Sequence, residues 1–495
     1  MINQIEHWLD GKHASGYGTR TGPVFDPATG RQTAAVPMGG PEDVNQAVRG
    51  ARNAASEWSR TSLTRRMAVL FRFRQLLAED SNDLAQLVTA EHGKVLSDSA
   101  GEVARGLEVA DFACGIAELL KAEHSLGVST GVDAYSIRQP LGVVAGITPF
   151  NFPALVPLWM APLAIACGNS FILKPSEKDP SASMWLAQRW TEAGLPDGVF
   201  QVVHGDKDTV DAILAHPGID AVSFVGSTPV ARSVQRQAVS MGKRVQALGG
   251  AKNHLVAMPD VDPDTVASAL VNSAYGSCGE RCMAVSVAVL IGDGAGQVVE
   301  AIRERAANLV VGPGNDPESE MGPLVTQAHR DRVASYLDAG VREGANLVLD
   351  GRHHTVSGDP GGFWLGPSLF DAVDPGMSIY QDEIFGPVLC VVRATSLEEA
   401  IRIINDNPYG NGAAVFTNDM ASARQFEMEV EAGMVGVNVA IPVPVAFYGF
   451  GGWGSSIFSD HDMYGPDGVR FYTRSKKITS RSLAHRGSLS FPTNQ

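Results

Sequence analysis

Four short apolar runs between residues 142 and 225 constrain this chain more than any other feature. They are Gly142-Val143-Val144-Ala145-Gly146-Ile147, Ser170-Phe171-Ile172-Leu173, Val199-Phe200-Gln201-Val202-Val203 and Ala221-Val222-Ser223-Phe224-Val225. A strand that is apolar on both sides has no wet face, so both faces must be covered. The usual cover is the helix that connects one parallel strand to the next. Helical segments at 184–193 and 210–215 lie between the runs. A second set follows, with strands expected at 254–257, 286–291, 346–349 and 388–392 and helices at 298–309, 330–343, 397–405 and 421–431. The pattern predicts two parallel-sheet α/β units divided near residue 250.

The chain before these units reads as helix-rich. Residues 41–55 open with Pro41-Glu42-Asp43, good first-turn residues, and place Val44, Ala47, Val48 and Ala51 at helical spacing. Residues 64–92 and 101–121 continue in the same way. Residues 128–139 and 469–479 alternate polar and apolar instead, as β-ribbons do. Two separated ribbons outside the α/β units point to a small third element used for assembly. The longest nearly apolar run, 152–168, is short of the ~18–20 residues of a spanning helix and is interrupted by Pro153, Pro157 and Pro162.

Charge and cysteine content exclude some functions. Thirty-nine basic residues against 54 acidic ones give a net charge of −15, which argues against nucleic acid or an anionic membrane as partner. Five cysteines in 495 residues are too few for a disulfide framework and read as reduced. No basic stretch followed by an apolar one opens the chain at Met1–Asp10, and a cytoplasmic location is expected.

Several segments carry candidate chemistry. Gly276-Ser277-Cys278-Gly279-Glu280-Arg281-Cys282 places a cysteine after a glycine-rich turn, with Arg281 beside it to favour the thiolate. The same cysteine also reads as a small core residue. Cys278 and Cys282 lack a second cysteine pair or nearby His ligands, so no metal site is expected. Phe224-Val225-Gly226-Ser227-Thr228-Pro229 reads as a strand end running into a helix start, an anion site suited to a pyrophosphate or simply a capped helix. Lys174 and Glu177 follow another strand. A carboxylate there favours the 2′-hydroxyl of NAD over the 2′-phosphate of NADP, although solvated loop charges read as well. Asn151 ends the first parallel strand, where its amide can donate to an oxyanion, and both it and Glu383 read equally as turn residues. Glu383 precedes the strand at 388. Gly449-Phe450-Gly451-Gly452-Trp453-Gly454 matches a dinucleotide motif literally but lacks a strand–helix–strand context, and reads as a loop touching substrate.

Taken together these segments resemble the aldehyde dehydrogenase superfamily. The matches are TPFNFP at 148–153, LKPSE at 173–177, FVGST at 224–228, the turn ending at Cys282, EIFGPV at 383–388 and NPYGNGAAVFT at 407–417. Gln246–His254, Gly279–Met283 and Ile441–Pro444 are similar to the CoA-acylating methylmalonate-semialdehyde dehydrogenase branch. Most of the superfamily reads Glu-Leu-Gly-Gly-Lys near residue 250, and that Glu activates water. Aligned on Lys252, Leu248 stands at its position, and no carboxylate occurs between Val245 and Val256.

The resemblance implies an aldehyde dehydrogenase-like fold. Residues 1–120 and 141–249 would form an NAD-binding domain and 250–445 a catalytic domain. Residues 121–140 and 446–495 would form an oligomerisation element with a substrate loop, in a homodimer or homotetramer. It implies oxidation of malonate or methylmalonate semialdehyde, with Cys282 attacking the aldehyde and Asn151 and the Cys282 N–H holding the oxyanion. Coenzyme A would take the acyl group as acetyl-CoA or propionyl-CoA after loss of CO2. Lys174 and Glu177 would bind the adenosine ribose, Ser227 the pyrophosphate and Glu383 the nicotinamide ribose, with Thr148, Phe150, Lys178 and Gly249 lining the cofactor path. Arg281 and Arg105 would hold the substrate carboxylate, since a guanidinium fork grips carboxylate bidentately. Residues 453–466 depart from the branch pattern in a loop expected near the acyl pocket, which leaves the substrate's 2-substituent open. The rival readings are a hydrolytic NAD-dependent aldehyde dehydrogenase releasing free acid, and an inert binding protein on the same fold.

Overall fold

The computed structural model describes residues 2–356 and 360–481. Each α/β unit is built on a seven-stranded sheet. In the first, the order is Arg244–Leu248, Ala221–Val225, Val143–Ile147, Ser170–Lys174 and Phe200–Val202, all parallel, with the antiparallel hairpin His7–Leu9 and Lys12–Ala14 on the far edge. Strand order reverses beside Val143–Ile147. That reversal opens a crevice beyond the carboxyl ends of Val143–Ile147 and Ala221–Val225, the usual ligand position in such sheets.

The second sheet runs Asn346–Leu349, Ser368–Asp371, Val388–Ala394, Val285–Ile291, Asn253–Ala257, Gly412–Phe416 and Met434–Val437, parallel apart from the first pair. The chain leaves the carboxyl end of one sheet at Leu248 and enters the amino end of the other at Asn253. Loops from these two edges share a cavity.

The apolar run at 152–168 contains the helix Leu155–Ala166, every residue of which is buried. It lies between the helix Leu96–Cys114 and the first sheet, so no side of it needs to be polar. Pro162 sits inside the helix.

Some elements differ from expectation. The span 64–92 is two helices, Leu63–Glu79 and Ser81–His92, parted at Asp80. The helix expected at 101–121 starts at Leu96 and ends at Cys114, followed by the short turn Ile116–Leu119. The N-terminal region also carries short strands, among them Thr21–Asp26 paired with Arg31–Pro37. Residues 469–471 belong to the helix Gly465–Phe471, because an amphipathic turn there buries Val469 and Phe471 before the strand Thr473–Arg481 begins. That strand pairs antiparallel with Val132–Pro140, which also holds His124–Ser129. Residues 482–495 of the third element lie outside the described residues.

Candidate active site

The loop before Val285–Ile291 is held in an unusual shape. Ser277, Cys278 and Gly279 have φ of 48°, 54° and 73°. Only glycine fits at 279, where a Cβ would stand 2.2 Å from the Gly386 carbonyl. Asp98, on the helix Leu96–Cys114, offsets the strain by accepting from the Ser277 N–H at 2.8 Å, from Ser277 Oγ at 3.0 Å and from the Arg281 guanidinium at 2.5 Å. Cys278 is fully buried in the second core.

The Cys282 carbonyl accepts from Asn253 Nδ2 at 2.9 Å and Asn411 Nδ2 at 3.0 Å. The candidate nucleophile is thus fixed to the second sheet by two amides that the sequence alone did not single out. Their signals are weak: Asn253 borders a strand that reads as buried, and Asn411 lies in the NPYGNGAAVFT segment. The Cys282 thiol is pushed up to about 12, chiefly by burial and next by Glu383. Arg281 does act toward the thiolate, as expected, but weakly. Arg281 and the neighbouring backbone N–H groups act in that direction but do not offset burial, and the guanidinium is ion-paired with Asp98.

Asn151 is buried at the carboxyl edge of the first sheet. Its carbonyl accepts from Lys94 Nζ at 2.6 Å, and the same ammonium pairs with Glu102 at 2.8 Å. Glu102 Oε1 in turn accepts from the N–H groups of Ala154 and Leu155 at 2.8 and 3.0 Å. This fully buried pair fixes the 151–155 turn from behind. Sequence reasoning passed over it. The available signal was a carboxylate at 102 on the helical stripe of Ser99, Val103 and Gly106, since a charge on a buried face needs a partner.

Between these elements lies a cavity of about 250 Å³. Phe152, Leu155, Trp159, Val443 and Phe450 give it an apolar wall, and Cys282, Arg105 and Arg281 face it together. Arg105 donates to Glu108 at 2.7 Å and to the Pro444 carbonyl at 2.8 Å. Phe450 belongs to the glycine-rich run at 449–454. Of residues 453–466, Tyr464 lines the cavity. Ser455–Phe458 instead runs along Ala247–Gly249, with hydrogen bonds from the Gly249 N–H to the Ser456 carbonyl and from the Phe458 N–H to the Ala247 carbonyl.

The crevice of the first sheet gathers the other candidates. Thr148 Oγ1 is buried with no hydrogen-bond partner among the described residues. Lys174 Nζ lies 3.3 Å from Glu177, and burial lowers its pKa. Lys178 Nζ sits 4.3 Å from the Phe150 ring centre. Ser227 caps the helix Thr228–Ser240 with no side-chain cap hydrogen bond, so the first-turn N–H groups point outward unpaired by it. Gly249 is pinned under Ser455, where a Cβ would approach its carbonyl to 2.9 Å.

Glu383 lines a second, smaller cavity together with Cys282 and Asn253. Its Oε1 accepts from the Ala251 N–H at 2.9 Å, and burial raises its pKa to about 7. Leu248 is buried and packed in the first core, so its position offers no acid or base. Glu280, also passed over in the sequence, is fully buried and faces away from both cavities toward His92 and His329, at 3.8 and 3.5 Å. Among the described residues no cluster of His, Cys, Asp or Glu could hold a metal ion, and no helix is long and apolar enough to cross a membrane.

Comparison with known proteins agrees with this geometry. The aldehyde dehydrogenase family model matches residues 14–478. The malonate-semialdehyde dehydrogenase of Pseudomonas aeruginosa is 54% identical over 97% of each chain. Malonate-semialdehyde dehydrogenase 2 of Geobacillus thermodenitrificans is 48% identical over 96% of this chain and 99% of its own. A Sinorhizobium meliloti protein crystallised with NAD superposes with a TM-score of 0.97 at 49% identity, covering 98% of this chain and 99% of its own. The methylmalonate-semialdehyde dehydrogenase of Oceanimonas doudoroffii superposes with a TM-score of 0.96 at 48% identity, covering 97% and 99%. The fold, the nucleophile loop and the crevice converge on one conclusion: the chain belongs to the aldehyde dehydrogenase family.

Proposed function

We propose that the protein oxidises malonate or methylmalonate semialdehyde and passes the acyl group to coenzyme A, giving acetyl-CoA or propionyl-CoA with loss of CO2. The observation that carries the acyl-transfer half is Leu248. An apolar, buried side chain stands where most of the superfamily keeps its water-activating carboxylate. A thioester then persists until a better nucleophile arrives. A thiol, a few per cent ionised near pH 7, attacks with little help, whereas water needs a base.

NAD fits the residues present. Thr148 Oγ1 lacks a partner, Glu177 is a carboxylate beside Lys174 at the sheet's ligand edge, and the Ser227 turn opens a helix there. Lys174 and Glu177 would hold the adenosine ribose, Ser227 the pyrophosphate and Glu383 the nicotinamide ribose. Thr148, Phe150, Lys178 and Gly249 would line the path. When bound, NAD supplies a hydride acceptor. Cys282 attacks the aldehyde carbon, and the Asn151 amide and the Cys282 N–H stabilise the oxyanion. Arg105 and Arg281 receive the substrate carboxylate against an apolar wall that strengthens each charge contact.

In the same reading, residues 1–120 and 141–249 form the NAD-binding domain, 250–445 the catalytic domain, and 121–140 with 446–495 the element that joins copies into a cytoplasmic homodimer or homotetramer. The test is NADH formation from malonate semialdehyde with and without CoA, following acetyl-CoA by mass spectrometry. Sustained turnover is expected only with CoA, and none with Cys282→Ala, which should still bind NAD. Equal turnover without CoA, yielding free acid, would identify a hydrolytic enzyme instead.

A further inference from the structure

Cys282 is half-buried against the cavity and its thiol is raised above the ordinary value, so its attack on a carbonyl is accompanied by loss of the proton. Some group beside Cys282 has to receive that proton, and most carboxylates around the nucleophile are engaged elsewhere. Asp98 is held by Arg281 and Ser277. Glu102 is held by Lys94 and two backbone N–H groups. Glu108 is held by Arg105. Glu280 is turned away and fully buried. Glu383 remains. It shares a cavity with Cys282, and of its two oxygens Oε1 takes the Ala251 N–H while Oε2 makes no hydrogen bond among the described residues. Gly250 leaves room for that second oxygen, since a Cβ there would stand 2.2 Å from it.

We infer that Glu383 is the proton acceptor for Cys282 in the attack step, in addition to any part it plays in holding a ribose. The inference rests on Cys282 being the nucleophile. In the step, the S–H bond breaks and the S–C bond forms. The carbonyl π pair moves onto the substrate oxygen, the proton passes to Glu383 Oε2 directly or through one water, and nothing is oxidised. The groups facing Glu383 suit this role. Lys252 and Arg332 favour its anion, burial opposes it, and the balance leaves it near 7, where a general base is most effective. Asp382 and Glu383 both bear on Tyr409, whose hydroxyl stays protonated. Protonation of Glu383 also removes the anion that raises the Cys282 thiol.

Alkylation of Cys282 by iodoacetamide in the cofactor-free enzyme, followed by peptide mass spectrometry, separates this role from a purely electrostatic one by sign. If Glu383 accepts the proton, Glu383→Gln should slow alkylation at pH 8 by roughly tenfold or more. If the carboxylate acts only as a nearby charge, the same change removes an anion and alkylation becomes faster, which overturns the proposal, as does an unchanged rate. The wild-type enzyme gives a second readout that does not depend on the variant's folding. Its rate should rise through pH 7 and then level off. A rate that instead keeps climbing about tenfold per pH unit to pH 10 is that of a thiol ionising alone, and rejects the role. If Cys282 is labelled no faster than the other four cysteines, the nucleophile assignment falls first and the proposal with it.

Discussion

At the scale of single residues, Glu280 is a fully buried carboxyl group on which Lys178 and Lys94 act too weakly to offset burial. Burial raises it from the usual 4.5 to about 8, while the same burial lowers His92 well below 6.5 and His329 to about 4. All three are therefore neutral near pH 6.5. A carboxyl raised in the folded state contributes stability that is complete below about 4.5 and is lost as pH rises through about 8. The two histidines act the other way, contributing stability above 6.5 that is lost as pH falls. Glu280→Gln keeps an acceptor for the Val325 N–H and abolishes the carboxyl titration. Scanning calorimetry from pH 6 to 9 should show a Tm that falls with pH more steeply in the wild type than in the variant, which keeps the titration of Glu383. The extra loss in the wild type between pH 6 and 8.5 is about 2–3 kcal/mol. Cys282, Asn151 and Glu383 could be singled out in the sequence because each lies in a segment that resembles the family, at a strand end or turn. Glu280 was not, because its meaning comes from His92 and His329, residues 188 and 49 positions away that only the fold brings together.

At the scale of elements, the helices Leu96–Cys114 and Leu155–Ala166 set the geometry of the cavity. The first carries Asp98, Glu102 and Arg105, and the second begins at the turn that Glu102 holds. They close on each other at Gly106, where a Cβ would lie 2.4 Å from Leu158 Cδ1 and 3.3 Å from its Cβ. Gly106→Ala gains up to about 1 kcal/mol of helix propensity but overfills a packed contact at a cost of about 1–3 kcal/mol. The expected outcome is a lower Tm and a raised KM for the semialdehyde with little change in NAD affinity, measured by calorimetry and steady-state kinetics. Strands rich in Val, Ile and Phe, such as Val143–Ile147 and Val285–Ile291, were readable from their composition. Gly412–Phe416 was not, since glycine and alanine favour a strand only when neighbours on both sides already form one, and Met434–Val437 is a four-residue edge strand too short to show a period. The split at Asp80 and the helical turn at 469–471 were missed for a related reason. Periodicity shows that a helix is present more reliably than where it stops.

At the scale of the whole molecule, His124–Ser129, Val132–Pro140 and Thr473–Arg481 form a three-stranded sheet of their own, and every residue of His124–Ser129 is exposed. Removing 473–495 takes away nine paired residues from Val132–Pro140 and bares its backbone. On light scattering after size exclusion, the intact chain is expected at two or four times 52.4 kDa and the shortened one as a monomer. The two ribbons were visible as alternation in the sequence. Their pairing across more than 330 positions was not, because register between distant strands is set by the packed fold. The division of labour between the sheets has a thermodynamic consequence. Asn151 and Lys174 stand on one sheet, Cys282 and Glu383 beside the other, so any molecule gripped by both sets is a crosslink. Its binding free energy is contributed to both units at once, tying two folding equilibria into one. The occupied enzyme then melts as a single cooperative body, and damage to either sheet is felt at the reacting carbon.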